Sequence, residues 1–224
     1  MNPGETDQKI GETIAIMEEA IYQRKNKGTA WEKAVLGFQS IKIQRTRRPR
    51  VLVTGDLYVK NNDAFNQNIT KKIEELGGEV ISTSVTEYFH YGIELDRYEG
   101  EQKFTQVAMY YVLKKVIDSW EQYYLKPIQP CLSELKEPSW DEMFAALAEM
   151  GIDAGVHGET ALTLSRAMCL ARAGQIQAIV HVNPAFCCAG NVSISLLESV
   201  REKLNVPVLN IFYDGTDQPN SSLV

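Results

Sequence analysis

Long apolar runs, an export signal, an excess of positive charge and a nucleotide-binding glycine loop are all missing from this chain. No stretch approaches the roughly 20 apolar residues that cross a bilayer, so no membrane partner is expected. Met1 to Lys9 is polar and carries no signal-peptide core. The 23 Lys and Arg against 29 Asp and Glu leave a net charge of -6, which argues against a general nucleic-acid binder. Gly55 and Gly158 are single glycines outside any GxGxxG or P-loop pattern, so no nucleotide site follows from a motif. Cysteine is scarce too: Cys131, Cys169, Cys187 and Cys188 are few for a secreted disulfide scaffold of 224 residues. Cys187 and Cys188 are neighbours, and a disulfide between neighbours is strained. A reducing cytoplasm is the expected setting, where cysteines serve metals, clusters or catalysis more often than crosslinks.

What is present is ordinary globular composition, 44% hydrophobic and 23% charged, in a length that buries one good core or two small ones. Ile10, Ile14, Met17 and Ile21 recur at helical spacing and predict a helix from about Asp7 to Lys25. Thr29 to Glu32 has the form of a capping box opening a second helix with Trp31, Val35, Phe38 and Ile41 on one face. This helical hairpin must lie against something. Lys42, Arg45, Arg47, Arg48 and Arg50 form a basic run, either a solvated linker or a phosphate contact.

From Val51 the pattern alternates between strand and helix. Val51 to Thr54 predicts a buried strand, Gly55 to Tyr58 the turn leaving it, and Asn62 or Asp63 the cap of a helix stopped by Gly77 and Gly78. Val80 to Thr83 is the next strand, and a βαβ unit of this length implies a parallel pair. Glu87 to Gly92 reads as an aromatic loop, and Tyr123 to Pro138, with three prolines, as irregular. Helices are predicted through Phe104 to Trp120, from a capping box at Ser139 to Glu142, over Glu159 to Ala173, and through Ile194 to Leu204. Ile176 to Val182 and Val206 to Ile211 are the remaining strands, and Asp214 to Asp217 is the last loop. The fold class is α/β: an open, parallel sheet of about four strands with helices on both faces. The expected division is a helical segment over 1–46 and an α/β domain over 47–224.

Ligands of such sheets bind outside the C-terminal strand ends. Gly55, Asp56, Asp214 and Gly215 follow strands there and are pocket-lining candidates. Cys187 and Cys188 follow a strand stopped by Asn183 and Pro184 and precede a helix, where the helix dipole favours thiolates. A nucleophilic thiol wants a histidine partner, and only His90, His157 and His181 exist. Zinc would normally show a CxxC pair, which is absent. Loop cysteines contributed one or two at a time suit an iron–sulfur cluster, with a buried structural thiol pair as the alternative. Cys131 is a third candidate ligand or a structural thiol, and Cys169 inside a helix reads as a core thiol. His157 and Glu159 open a helix; Glu159 suits a cap, an acid or a first-turn charge.

Arg48 to Val59, Ile73 to Val80, Glu87 to Tyr91, His157 to Leu164, Asn183 to Asn191 and Val206 to Gly215, in that order, resemble the CoA-substrate-specific enzyme activases and their relatives, the cluster subunits of 2-hydroxyacyl-CoA dehydratases and benzoyl-CoA reductases. The likeness covers about Arg48 to Asn220. It implies a flavodoxin-like unit whose loop cysteines help ligate a [4Fe–4S] or larger cluster. It also implies a component of an ATP-dependent dehydratase or reductase, fed by an ATP-driven activator and passing electrons to a CoA thioester or another small substrate. Carried over by position, Cys187 or Cys188 is the cluster ligand, with His157 and Glu159 as catalytic candidates beside it. Ala189 departs from the usual proline, and the upstream cysteine-rich motifs are absent. The remaining ligands are therefore expected from a companion domain, a non-cysteine group or a second copy in a homodimer.

Overall fold

The computed structural model describes residues 4–42, 46–99, 104–129, 135–156, 159–216 and 220–223. It divides into a helical unit of residues 1–47 and 111–135 and an α/β unit of residues 48–110 and 136–224. The boundary falls inside one helix.

In the helical unit, α1 (Glu5–Tyr22) and α2 (Lys27–Gln39) form the hairpin. The expected capping box at Thr29 is not used. Asn26 caps α2 instead, its Oδ1 accepting the Gly28 and Thr29 N–H groups at 2.9 and 3.4 Å. An asparagine side chain reaches the first free amides before a threonine further along can. The hairpin packs on the second half of α6 (Phe104–Leu125). Trp31 Nε1 donates to the Tyr124 carbonyl at 2.7 Å, and Gly28 leaves just enough room for the Tyr123 hydroxyl.

The α/β unit is built on β1 (Arg50–Gly55), β2 (Glu79–Ser82), β3 (Ala178–Pro184), β4 (Val208–Tyr213) and β5 (Asn220–Leu223). Their order is β2-β1-β3-β4-β5; the first four are parallel and β5 runs antiparallel to β4. This is the flavodoxin-like order, with its switch point between β1 and β3. The four parallel strands are the ones the apolar runs predict. The fifth carries no such run, because an edge strand needs only backbone groups to pair.

Side-chain alternation divides the core in two. On one face Val53, Val180, Val182, Ile211 and Tyr213 pack with Val59 of α3 (Leu57–Lys60) and with Ile69 and Ile73 of α4 (Ile69–Glu75). On the other, Leu52, Ile179 and Val208 lie beneath α8 (Glu159–Arg172) and α9 (Cys188–Leu204).

Three local expectations fail here. Residues 62–68 are turns rather than helix: Asn62 and Asn66 hydrogen-bond the Phe65 and Ile69 amides, and Gln67 and Asn68 are left-handed. Asparagine side chains compete with the helix for its own backbone amides. The aromatic stretch after β2 is not a loop but the start of α5 (Val85–Glu99), because Tyr91 and Tyr98 lie two turns apart and both stack on Phe144 of α7 (Trp140–Glu149). α6 continues to Leu125, into the stretch read as irregular, before Pro127.

Candidate functional site

At the switch point the backbones of β1 and β3 are in close contact. Gly55 ends β1 at φ 113°, and a Cβ there would strike the Val182 carbonyl of β3. The Asp56 N–H continues the contact, donating to that carbonyl at 2.9 Å. Asp56 Oδ1 then accepts the Val59 N–H at 2.8 Å and caps α3. Glu159, first residue of α8, reaches across to accept the Leu57 N–H through Oε1 at 2.5 Å. Glu159 therefore serves α3 rather than capping its own helix. Burial raises its pKa, against the Leu57 N–H, which lowers it.

The β3 end is tied in from the other side. The Ala185 N–H donates to the Tyr213 carbonyl at 2.8 Å, fixing the loop to β4. Phe186 follows at φ 64° and 96% exposed, a left-handed conformation that a bulky residue adopts only when its surroundings impose it. Cys187 caps α9: the Gly190 N–H donates to its Sγ at 3.4 Å. Cys188 is the first helical residue and is exposed. Gly190 lies over the Asn183 side chain, where a Cβ would be 2.6 Å from Cγ. Thr160 Oγ1 donates to the Ala189 carbonyl at 3.1 Å and Ser193 Oγ donates to Thr160 Oγ1 at 3.0 Å, so the α8 and α9 N-termini are joined.

These bonds gather Gly55, Asp56, Glu159, Cys187 and Cys188 around the ends of β1 and β3. Asp214 and Gly215 lie one strand further out, in an exposed turn closed by Thr216 N–H and Oγ1 donating to Asp214 Oδ1. His157 and Cys131 fall outside the described residues. Cys169 lies ten residues along α8 from Glu159, about 15 Å by helical rise, away from the strand ends. It is half-buried rather than a full core thiol, and lines a groove of about 430 Å³ between α7 and α8 with Ala146, Leu170 and Arg172. Burial pushes its thiol pKa up. The described residues thus bring two thiols to the switch point. A cubane takes four, so these two thiols do not by themselves make a cluster site.

Below the rim the sheet is polar. Thr54, His181 and Asn210 stand in one register row across β1, β3 and β4, each almost fully buried. Thr54 Oγ1 meets Thr163 Oγ1 of α8 at 3.1 Å, and Asn183 Nδ2 lies 2.8 Å from His181 Nδ1. Burial pushes the His181 pKa down to about 4, so its ring is neutral near pH 7.

A second group has no motif of its own in the sequence. Arg166, 4% exposed, binds Glu87 Oε1 at 2.5 Å and Glu137 Oε2 at 2.6 Å through Nη1. Burial opposes its charge, but the two carboxylates prevail and raise its pKa. Lys60, at the end of α3, is 7% exposed; its N–H donates to the Asp56 carbonyl and its carbonyl accepts from Asn66 Nδ2, while its ammonium makes no hydrogen bond or ion pair among the described residues. Burial lowers its pKa, while Glu159 is the strongest of the charges that oppose this. One weak signal existed in the sequence: Glu159 and Arg166 are seven residues apart and so share a helix face.

Fold and site together define a doubly wound α/β protein with a strand-end thiol site. No family model, characterised protein or solved structure matches the chain.

Proposed function

We propose that this chain is the iron–sulfur-binding, electron-transfer component of a 2-hydroxyacyl-CoA dehydratase- or reductase-like system, contributing half of a cluster site. The observation that carries the reading is the pair Cys187 and Cys188, one capping α9 and one exposed, at the switch point of the sheet. The ordered likeness from Arg48 to Gly215 supports it. Cys187 and Cys188 would hold the cluster, which supplies one-electron transfer when bound; the other ligands come from a companion chain or domain. Phe186, strained and exposed beside the thiols, fits a contact with that companion. A small-molecule-binding α/β module with structural thiols is the competing reading, favoured by the Gly190 N–H already engaged on Cys187 Sγ.

Anaerobic reconstitution with iron and sulfide tests this. Broad thiolate-to-iron absorption is expected in the wild type, lost in Cys187→Ser and Cys188→Ser. A colourless wild type that binds no iron, alone or at concentrations that drive self-association, sinks the assignment for this chain.

A further inference from the structure

The helical unit has almost no core of its own. Ala20, Ala34 and Val35 are the buried apolar side chains among its described residues, and none is larger than valine. Its larger apolar side chains stand in solvent as two ordered stripes. On α1, Ile10, Ile14, Met17 and Ile21 follow one another at steps of four, three and four, and the isoleucines are 44–56% exposed. On α6, Leu113, Val116, Trp120 and Tyr123 follow at steps of three, four and three and are 47–69% exposed. Alternating steps of three and four form the seam of a helix that packs lengthwise on another helix. The two seams carry opposite charge beside them. The exposed charged residues of α1 are Asp7, Glu12, Glu18 and Glu19, all acidic. Lys9 and Lys25 pair with Glu12 and Glu19, and Glu18, next to Met17 of the stripe, sets the sign there. The exposed charged residues described for α6 and the turn after it are Lys115 and Lys126, both basic.

We infer that the helical unit is an interface with a second copy of this chain, in a two-fold dimer that lays α1 of each copy along α6 of the other. Charge selects this pairing. α1 on α1 sets acid against acid and α6 on α6 sets base against base, whereas α1 on α6 brings opposite signs together. Area agrees with it. The three isoleucines and the four α6 side chains leave on the order of 700 Å² in solvent, taking ~200 Å² for a large apolar side chain. A stable interface takes roughly 800 Å² from each partner. A two-fold axis uses both stripes of each copy at once, so no apolar stripe is left to carry association further, as it would in a head-to-tail chain. Trp120, the largest and most exposed of the set, is the anchor. None of these residues belongs to the strand-end thiol site, so the dimer and the cluster stand or fall separately.

Sedimentation equilibrium on the full chain across micromolar concentrations tests this. A species of twice the 25.2 kDa chain mass is expected. Trp120→Gln is expected to raise the dissociation constant about thirtyfold, as loss of an interface anchor does, and Ile14→Gln several-fold. Both side chains are exposed in the single chain and glutamine suits a helix, so far-UV circular dichroism is expected to stay unchanged. Glu18→Lys and Lys115→Glu are each expected to weaken the dimer several-fold, and the double charge reversal to recover most of that loss. A chain that stays monomeric at every concentration overturns the inference. A dimer that neither glutamine variant weakens overturns this surface. A dimer weakened by only one of the two, or a double charge reversal no tighter than the single ones, overturns the pairing of α1 with α6.

Discussion

Replacing Arg166 with methionine isolates the energetics of the buried charge cluster. The guanidinium side chain is 5% exposed and its partner Glu87 14%, whereas Glu137 is 57% exposed and can turn to water. The substitution therefore strands one carboxylate, Glu87, in the interior. Removing one partner of a buried pair costs about 3–5 kcal/mol at neutral pH, and the nearby Lys60 places the expectation at the low end. Replacing both partners, in Arg166→Met with Glu87→Gln, is expected to recover most of that loss. The deficit also depends on pH. Burial already raises the Glu87 pKa in the folded protein, and Arg166 opposes the rise. Without Arg166 the shift grows. A carboxyl whose folded pKa lies above its unfolded value favours folding below the unfolded pKa, and that contribution is lost as pH rises through the folded pKa. The mutant's deficit should thus be smaller at pH 5 than at pH 8. Urea titrations at both pH values read it directly. A loss under about 1 kcal/mol, a deficit independent of pH, or a double mutant no better than the single would refute the account.

Two further predictions rest on local geometry. Ser139→Ala removes the side-chain half of an intact capping box, the Ser139 Oγ that accepts the Glu142 N–H, and leaves the backbone N–H at 139 free to donate to the Glu142 carboxylate. A loss of about 1 kcal/mol is expected in a urea titration, and a stability equal to wild type would show the cap to be idle. Phe186→Gly relieves a left-handed residue that buries nothing, so folding stability is expected to rise by about 1 kcal/mol while iron loading on reconstitution falls. Stabilisation with full loading would mean that Phe186 has no part in the thiol site.

The sheet was readable because parallel strands buried on both faces are short continuous apolar runs, and Val51 to Thr54 and Ile176 to Val182 are such runs. The cap at Ser139 was readable for the same reason of locality: its two partners are three residues apart. What was lost depends on distant partners. The Arg166 to Glu87 pair spans 79 residues, and nothing near Lys60 in the chain shows that α3 turns it inward. The stretch from Glu87 looked like a loop because aromatic clusters suit loops and helices equally. The decision rests on Phe144, in another helix, stacking on Tyr91 and Tyr98. Within the strand-end site, position was legible and bonding was not. Glu159 has the place expected of a cap, but its carboxylate serves another element.

The hairpin of α1 and α2 is made before α6 during synthesis, and Trp31 finds its hydrogen-bond acceptor, Tyr124, 93 residues later. The two helices must therefore wait for most of α6 before their inner face is covered, and β1, β2 and α5 emerge meanwhile. Chain cleavage carries the same lesson. Cutting after Arg47, as though trimming an appendage, would strip the cover from Tyr123 and Tyr124 while leaving them in the product. A separable piece of this molecule is a set of contacts, not a stretch of sequence.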